Sequence, residues 1–86
     1  MEIKKTILNP EGLHARPAGQ LAKLAASFKS KIEISFNQKT VNAKSSMSLM
    51  TLGISHNSEI TIKADGPDAE EALKKVASLV DNHFVV

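Results

Sequence analysis

The chain contains no cysteine, tryptophan or tyrosine, and these absences narrow the functions that it can have. Without cysteine it cannot contain a disulfide framework. Three phenylalanines are the only aromatic residues, so the chain has few side chains that could stack on nucleic-acid bases. Glycine and proline number only four and three, and we find no linker, internal repeat or low-complexity tract. A small globular domain remains.

Neither sign of charge dominates, since 11 basic residues against 9 acidic ones give a net charge of +2. This balance does not predict a nucleic-acid partner, although slight basicity helps to attract an acidic protein. No apolar stretch approaches the roughly 18 residues that a membrane span needs, and the first residues do not resemble a secretory signal. We therefore expect a cytoplasmic protein without membrane insertion, folded as one domain over residues 1–86.

Alternating apolar and polar residues predict four β-strands. The pattern is clearest in residues 32–36 and 60–64, where every second residue is apolar. Residues 2–8 are less regular. Residues 39–42 follow the second strand so closely that a tight hairpin is the natural connection. Local antiparallel pairing follows from that hairpin.

Apolar residues at helical spacing predict three helices. The first covers residues 17–28, and a short helix with a serine at its start and a glycine at its end covers residues 45–53. The last helix, residues 69–80, has the clearest apolar stripe. Before it, Asp68 and Glu71 have the spacing of a capping box.

The predicted order is therefore strand, helix, strand, strand, helix, strand, helix. A sheet in this order has helices on one face only. We predict an α+β fold, an open-faced β-sandwich in which three helices cover one face of a four-stranded antiparallel sheet.

Residues 12–18, with the sequence GLHARPA, are the most informative segment. Gly12 allows a sharp turn, and Pro17 lies in the first helical turn, where it has no amide hydrogen to leave unpaired. The helix start leaves N–H groups without partners, and the positive end of the dipole favours an anion in front of them. We assign these phosphate-binding donors to Ala15, Arg16 and Ala18.

His14 lies at the mouth of this helix, with Arg16 in the same turn. An isolated histidine in such a position is more often a surface residue or a simple helix cap. Here the positive helix end disfavours the imidazolium, so the ring is kept as a nucleophile. Arg16 adds a donor fork that suits phosphate oxygens. We interpret His14 as a phosphoryl acceptor and treat His56 and His83 as surface residues.

The sequence strongly resembles the HPr family, the histidine-containing phosphocarrier proteins of the phosphoenolpyruvate-dependent sugar phosphotransferase system. The resemblance covers essentially the whole chain. It depends on four segments, which are residues 12–18, residues 39–50 with the VNAKS core, residues 52–54, and the strand at 59–62. Together these segments are highly specific, whereas the histidine alone would not be.

The resemblance implies the same four-stranded, three-helix fold. It also implies that His14 accepts a phosphoryl group at Nδ1 from phospho-enzyme I and donates it to a sugar-specific IIA domain, with Arg16 as the cation of the phosphate site. Ser45 corresponds to the serine that a dedicated HPr kinase modifies in some lineages; the plain alternative is that Ser45 only caps the short helix. We expect a monomeric carrier rather than an enzyme, with no cofactor and no metal site.

The short helix also predicts a docking surface. Its apolar side chains are Met47, Leu49, Met50 and Leu52. One stripe cannot bury all of them, so we expect Met47 and Met50 on the outside, where flexible thioethers suit several partners. Burial in the core is the alternative. We add Ser46, where many relatives have an apolar residue, and Gly19, where threonine or alanine is common.

Three classes of function remain open at this point. The first is the phosphoryl carrier in sugar uptake. The second is a regulatory HPr paralogue, of the nitrogen-branch or kinase-signalling type, that acts mainly through protein binding; the presence of His14 and Arg16 argues against a version that is never phosphorylated. The third is a small nucleic-acid-binding domain, which the lack of aromatic residues and of a basic stripe disfavours.

Overall fold

The computed structural model describes residues 1–84, so residues 85 and 86 of the predicted domain lie outside it. Its elements in chain order are β1 (Glu2–Thr6), α1 (Ala15–Ala26), β2 (Lys31–Phe36), β3 (Lys39–Asn42), α2 (Ser46–Met50), β4 (Glu59–Asp65) and α3 (Ala69–Asp81). This is the order predicted from the sequence. None of the helices within the described range is long and apolar enough to cross a bilayer.

The four strands form one antiparallel sheet in the order β1-β4-β2-β3. In its centre Ile34 of β2 is paired with Ile62 of β4, and both side chains are fully buried. Their neighbours along each strand are partly open to solvent. This period of two gives the sheet one apolar face, which the helices cover, and one open face. The α+β open-faced sandwich is therefore confirmed.

The first strand is irregular in sequence because it lies at an edge of the sheet. Its inward positions are Ile3, which pairs with Ile62, and Lys5, which pairs with Ile60. Ile3 remains partly exposed, and the Lys5 Nζ lies 2.8 Å from a carboxylate oxygen of Asp81 at the end of α3. An ion pair thus covers an inward position that a central strand would fill with an apolar side chain.

The connection between β2 and β3 is the predicted two-residue hairpin. Both of its central residues, Asn37 and Gln38, have positive φ, at 52° and 68°. Positive φ at both positions is the property of the type I′ turn, whose twist matches that of the flanking strands. Asparagine tolerates this conformation better than most residues.

The three helices differ in how much they bury. α1 and α3 each present an apolar stripe to the core, whereas α2 buries only Leu49. α2 packs against α1 and β3. The short helix is thus attached at the side of the main helical layer, next to α1.

Asp68 does not form the capping box that its spacing predicts. It is the N-cap residue of α3 but its side chain makes no capping bond. Instead its carboxylate accepts hydrogen bonds from the backbone N–H groups of Lys29 and Ser30, both at 2.9 Å, and from the Ser30 hydroxyl. The carboxylate therefore links the start of α3 to the segment that enters β2. These bonds lower the pKa of Asp68 to about 2, and the bond from the Ser30 hydroxyl has the largest effect.

We expect Asp68→Asn to make stability less sensitive to acid. Because the folded-state pKa lies below the ordinary value of 3.8, the carboxylate stabilises the native state above about pH 4 and loses this contribution as the pH falls towards 2. Urea unfolding at pH 7, 4, 3 and 2 should show a variant that is less stable at pH 7 and nearly equal at pH 2. Asp65→Asn, an exposed carboxyl at the end of β4, is the control. A destabilisation of equal size at every pH would contradict this account.

Candidate functional site

His14 is the N-cap residue of α1. Its backbone is extended, with φ −105° and ψ −156°, and its side chain is exposed and makes no capping hydrogen bond. The imidazole therefore has no role in holding the helix. It stands at the mouth of the helix, where a partner can reach it.

The turn that delivers His14 depends on Gly12. This residue has φ +66°, and a Cβ there would lie 2.5 Å from the carbonyl oxygen of Ile54. The next amide, that of Leu13, donates to the same carbonyl at 3.0 Å, and the Leu13 side chain is buried. Only glycine combines this φ with so close an approach. The segment containing Ile54 thus fixes the position of the site loop.

The structure corrects one of the predicted phosphate donors. The Ala18 amide donates to the His14 carbonyl at 2.9 Å, which is the first hydrogen bond of the helix. In an α-helix the amides of the cap residue and of the next three residues lack helical acceptors, and Pro17, the last of these, has no N–H. Among residues 1–84 the amides of Ala15 and Arg16 have no backbone acceptor. These two amides, and not that of Ala18, can serve an anion at the helix start.

The Arg16 guanidinium is already engaged by its own chain. Nη1 donates to the Gln20 Oε1 at 3.0 Å and to the Phe84 carbonyl oxygen at 2.9 Å. Nη2 donates to the Glu11 Oε2 at 3.0 Å. The side chain is nevertheless 51 % exposed, so these partners are exchangeable. These bonds use three of the five N–H groups of the guanidinium, and a phosphoryl oxygen that approached Nη2 would meet the Glu11 carboxylate at the same nitrogen.

Glu11 and Asn9 also belong to this site, although no motif in the sequence predicted them. The buried Asn9 Nδ2 donates to Glu11 Oε1 at 2.8 Å and to the Gly12 carbonyl at 2.7 Å. The hydrogen bonds from Asn9 and Arg16 lower the pKa of Glu11 to about 2, and the bond from Asn9 has the larger effect. The signal in the sequence was the turn-forming Asn9 with the acidic Glu11, five residues before Arg16, which could have predicted a carboxylate beside the guanidinium.

Ser45 is the N-cap of α2, as predicted. Its backbone is extended, and its Oγ accepts a hydrogen bond from the Ser48 N–H at 3.2 Å. The side chain is half-buried. The hydroxyl therefore has a structural use, which is compatible with modification because a phosphate at a helix start meets the same free N–H groups.

The two methionines of α2 lie on the outside, as the spacing predicted. Met47 is 75 % exposed and Met50 is 40 % exposed, whereas Leu49 is fully buried. Ser46 is half-buried and Gly19 is exposed. A side chain at Gly19 would meet no atom within 4 Å in the described part of the chain. α1, which begins next to His14, is packed against α2, which carries Met47 and Met50.

The arrangement can accept and release an anion. It has an exposed imidazole, two amides at a helix start and an exchangeable guanidinium, and none of these groups is enclosed. No three histidine, aspartate or glutamate side chains within residues 1–84 are grouped so that they could hold a metal ion. An exposed imidazole in such an arrangement can act as a nucleophile and take a covalently attached group transiently.

Comparison with known proteins agrees with this chemistry. Residues 1–82 match the family model described as the PTS HPr component phosphorylation site. The phosphocarrier protein HPr of Mycoplasma genitalium is 43 % identical over 86 residues, covering 99 % of this chain and 98 % of that protein.

Solved structures show the same relationship. A crystal structure of HPr from Thermoanaerobacter tengcongensis superimposes with a TM-score of 0.95 at 40 % identity, covering 98 % of this chain and 94 % of that one. The catabolite repression protein Crh of Bacillus subtilis, solved as a swapped dimer, gives a TM-score of 0.78 at 40 % identity, covering 90 % and 88 % of the two chains. A family match over nearly the whole sequence, with this structural agreement, shows that the chain belongs to the HPr family of phosphocarrier proteins.

Proposed function

We propose that this chain accepts a phosphoryl group on His14 from phospho-enzyme I and passes it to sugar-specific IIA domains. The observation that carries the proposal is the exposed His14 imidazole. His14 caps α1 through its backbone alone, and the neighbouring amides of Ala15 and Arg16 have no backbone acceptor among residues 1–84. HPr proteins are carriers rather than enzymes, so the catalytic power for each transfer lies with the partners.

The transfer balances without any further reactant. The lone pair of the neutral His14 Nδ1 attacks phosphorus, the bond from phosphorus to the donor breaks, and its electron pair returns to the donor. Nε2 keeps its proton. The amides of Ala15 and Arg16 then face the added negative charge. Because the site is open and its donors are few, it stabilises the phosphoryl group only moderately, which allows the group to leave again.

The proposed docking surface joins His14 to the exposed side of α2. The exposed Met47 and Met50 would provide flexible apolar contacts, and the half-buried Ser46 and the exposed Gly19 complete the proposed surface. Two partners that exchange one phosphoryl group must both bring their reacting atoms to His14, so we infer that they bind one shared face. We also propose that the chain acts as a monomer in the cytoplasm, where a slightly positive protein meets acidic partners.

One observation favours a second candidate, a regulatory paralogue that acts mainly by binding. The similarity to Crh reaches 40 % identity, which is as high as that to the HPr structure from T. tengcongensis. The two candidates differ in whether the histidine takes part in transfer. Incubation with phosphoenolpyruvate and a heterologous enzyme I, followed by intact mass measurement, separates them.

We predict that His14→Ala abolishes phosphoryl acceptance and changes the free energy of unfolding by less than about 0.5 kcal/mol, because an exposed side chain without a capping bond contributes little to stability. Acid lability of the attached group identifies a phosphohistidine. His56→Ala, at an exposed position before β4, is the matched control and should be phosphorylated like the unmodified chain. An acid-labile phosphate on the His14→Ala variant would show that the site is elsewhere.

We predict that Met47→Glu weakens binding of enzyme I and of a IIA domain together, each by about tenfold, since the substitution replaces an exposed apolar contact with a charge. Calorimetry or amide-shift titration measures both affinities. Ser78→Glu places the same charge on the exposed side of α3 and should bind normally. Amide shifts that place either partner away from α2 would refute the shared surface.

We predict that Ser45→Asp slows transfer from enzyme I by weakening association, because a negative charge beside Met47 repels an acidic partner. Ser45→Ala should transfer nearly normally and lose only the cap, about 1 kcal/mol of stability. Rates at limiting protein concentration measure the difference. Equal rates for Ser45→Asp and the unmodified chain would leave Ser45 as a helix cap alone.

A kinase assay would test the modification of Ser45 directly. Fragmentation mass spectrometry must then distinguish phosphate on Ser45 from phosphate on the neighbouring Ser46.

A further inference from the structure

The interaction between Arg16 and Glu11 has a consequence for the phosphorylated state. Nη2 of Arg16 lies 3.0 Å from Glu11 Oε2, and the two side chains are 51 % and 33 % exposed. Glu11 is also held through its other oxygen by the amide of the buried Asn9. The carboxylate is therefore fixed beside the guanidinium rather than free to point into solvent.

A phosphoryl group on His14 would compete with this carboxylate. Arg16 is the cation of the first helical turn, and its two terminal nitrogens already donate to Glu11, Gln20 and Phe84. These bonds use three of the five N–H donors of the guanidinium. A phosphoryl group that binds through Nη2 therefore meets the Glu11 carboxylate at the same nitrogen, and the two anions repel each other. Of these three acceptors Glu11 alone is charged. When it is displaced, the favourable free energy of the Glu11–Arg16 ion pair is lost.

We propose that Glu11 is a positioning residue that competes with the phosphoryl group for Arg16 and thereby keeps phosphohistidine 14 less stable and easier to pass on. This inference rests on the proposed function of His14. When the phosphoryl group takes the guanidinium, the free energy of the Glu11–Arg16 pair is lost, and by linkage the same amount is subtracted from the stability of the phosphorylated state.

Two further observations support this role. The low pKa of Glu11, about 2, means that the competing charge is present at every physiological pH. The bond to Asn9 Nδ2 would remain when Arg16 leaves, so the carboxylate stays close to the site and can take back the guanidinium after the phosphoryl group departs. Because the pair is partly exposed, its effect is modest, as for other surface ion pairs.

The test is a competition at equilibrium. Equal amounts of the ¹⁵N-labelled unmodified chain and of unlabelled Glu11→Gln are mixed with catalytic enzyme I and with phosphoenolpyruvate sufficient for half of the sites. Intact mass at neutral pH then gives the phosphorylated fraction of each chain. Since enzyme I acts as a catalyst for both, the ratio reports the relative stability of the two phosphohistidines. We expect phosphate to favour Glu11→Gln by about two- to fivefold.

The control removes the same charge from another exposed ion pair. Glu70 lies one turn before Lys74 on α3, with 3.5 Å between the charged atoms, and Glu70→Gln should share phosphate equally with the unmodified chain. Equal sharing by Glu11→Gln, or a preference for the unmodified chain, overturns the inference while leaving His14 as the acceptor. If the unmodified chain takes no phosphate, the proposed function fails and this inference with it.

A second readout follows the carboxylate itself. The ¹³C shift of the Glu11 side-chain carboxyl at neutral pH should change on phosphorylation of His14 and return after transfer, whereas that of Glu70 should stay constant. An unchanged Glu11 shift would show that the ion pair with Arg16 is undisturbed and would overturn the inference. This measurement uses the unmodified chain, so it holds even if Glu11→Gln alters the loop.

Discussion

The contact between Gly12 and the carbonyl of Ile54 is the constraint on which the site depends. It brings the loop before α1 against the segment between α2 and β4, with the Leu13 amide bonded to the same carbonyl. The helix start, the imidazole and the guanidinium all take their positions from this turn. Any side chain at residue 12 would need the loop to move, and His14 would move with it.

Periodicity predicted most of the fold because the sheet has one buried face. The strands around Ile34 and Ile62 alternate clearly, and the stripe of α3 is wide. β1 was less regular for a physical reason, since an edge strand fills an inward position with Lys5 and its ion partner. The capping box at Asp68 does not form because the backbone N–H groups of the segment before β2 bind the carboxylate instead.

The site was predicted at the level of residue type but not of geometry. His14 and Ser45 lie at helix starts as expected, and Met47 and Met50 lie outside. The sequence could not show that the Ala18 amide has an acceptor within the helix, nor that Arg16 is shared among several acceptors. Contacts of this kind depend on where distant segments meet: Phe84 is remote from Arg16 in sequence and yet hydrogen-bonded to it.

The shallow anchoring of α2 has a consequence for its dynamics. Leu49 is the one buried side chain of this helix, and the Ser45 Oγ accepts its capping hydrogen bond from the Ser48 N–H. The helix should therefore open locally at a lower free energy than α1 or α3 and exchange its amide hydrogens sooner. A helix that opens easily can adjust to differently shaped binding partners at little cost. The same property makes its conformational equilibrium sensitive to any change at the cap.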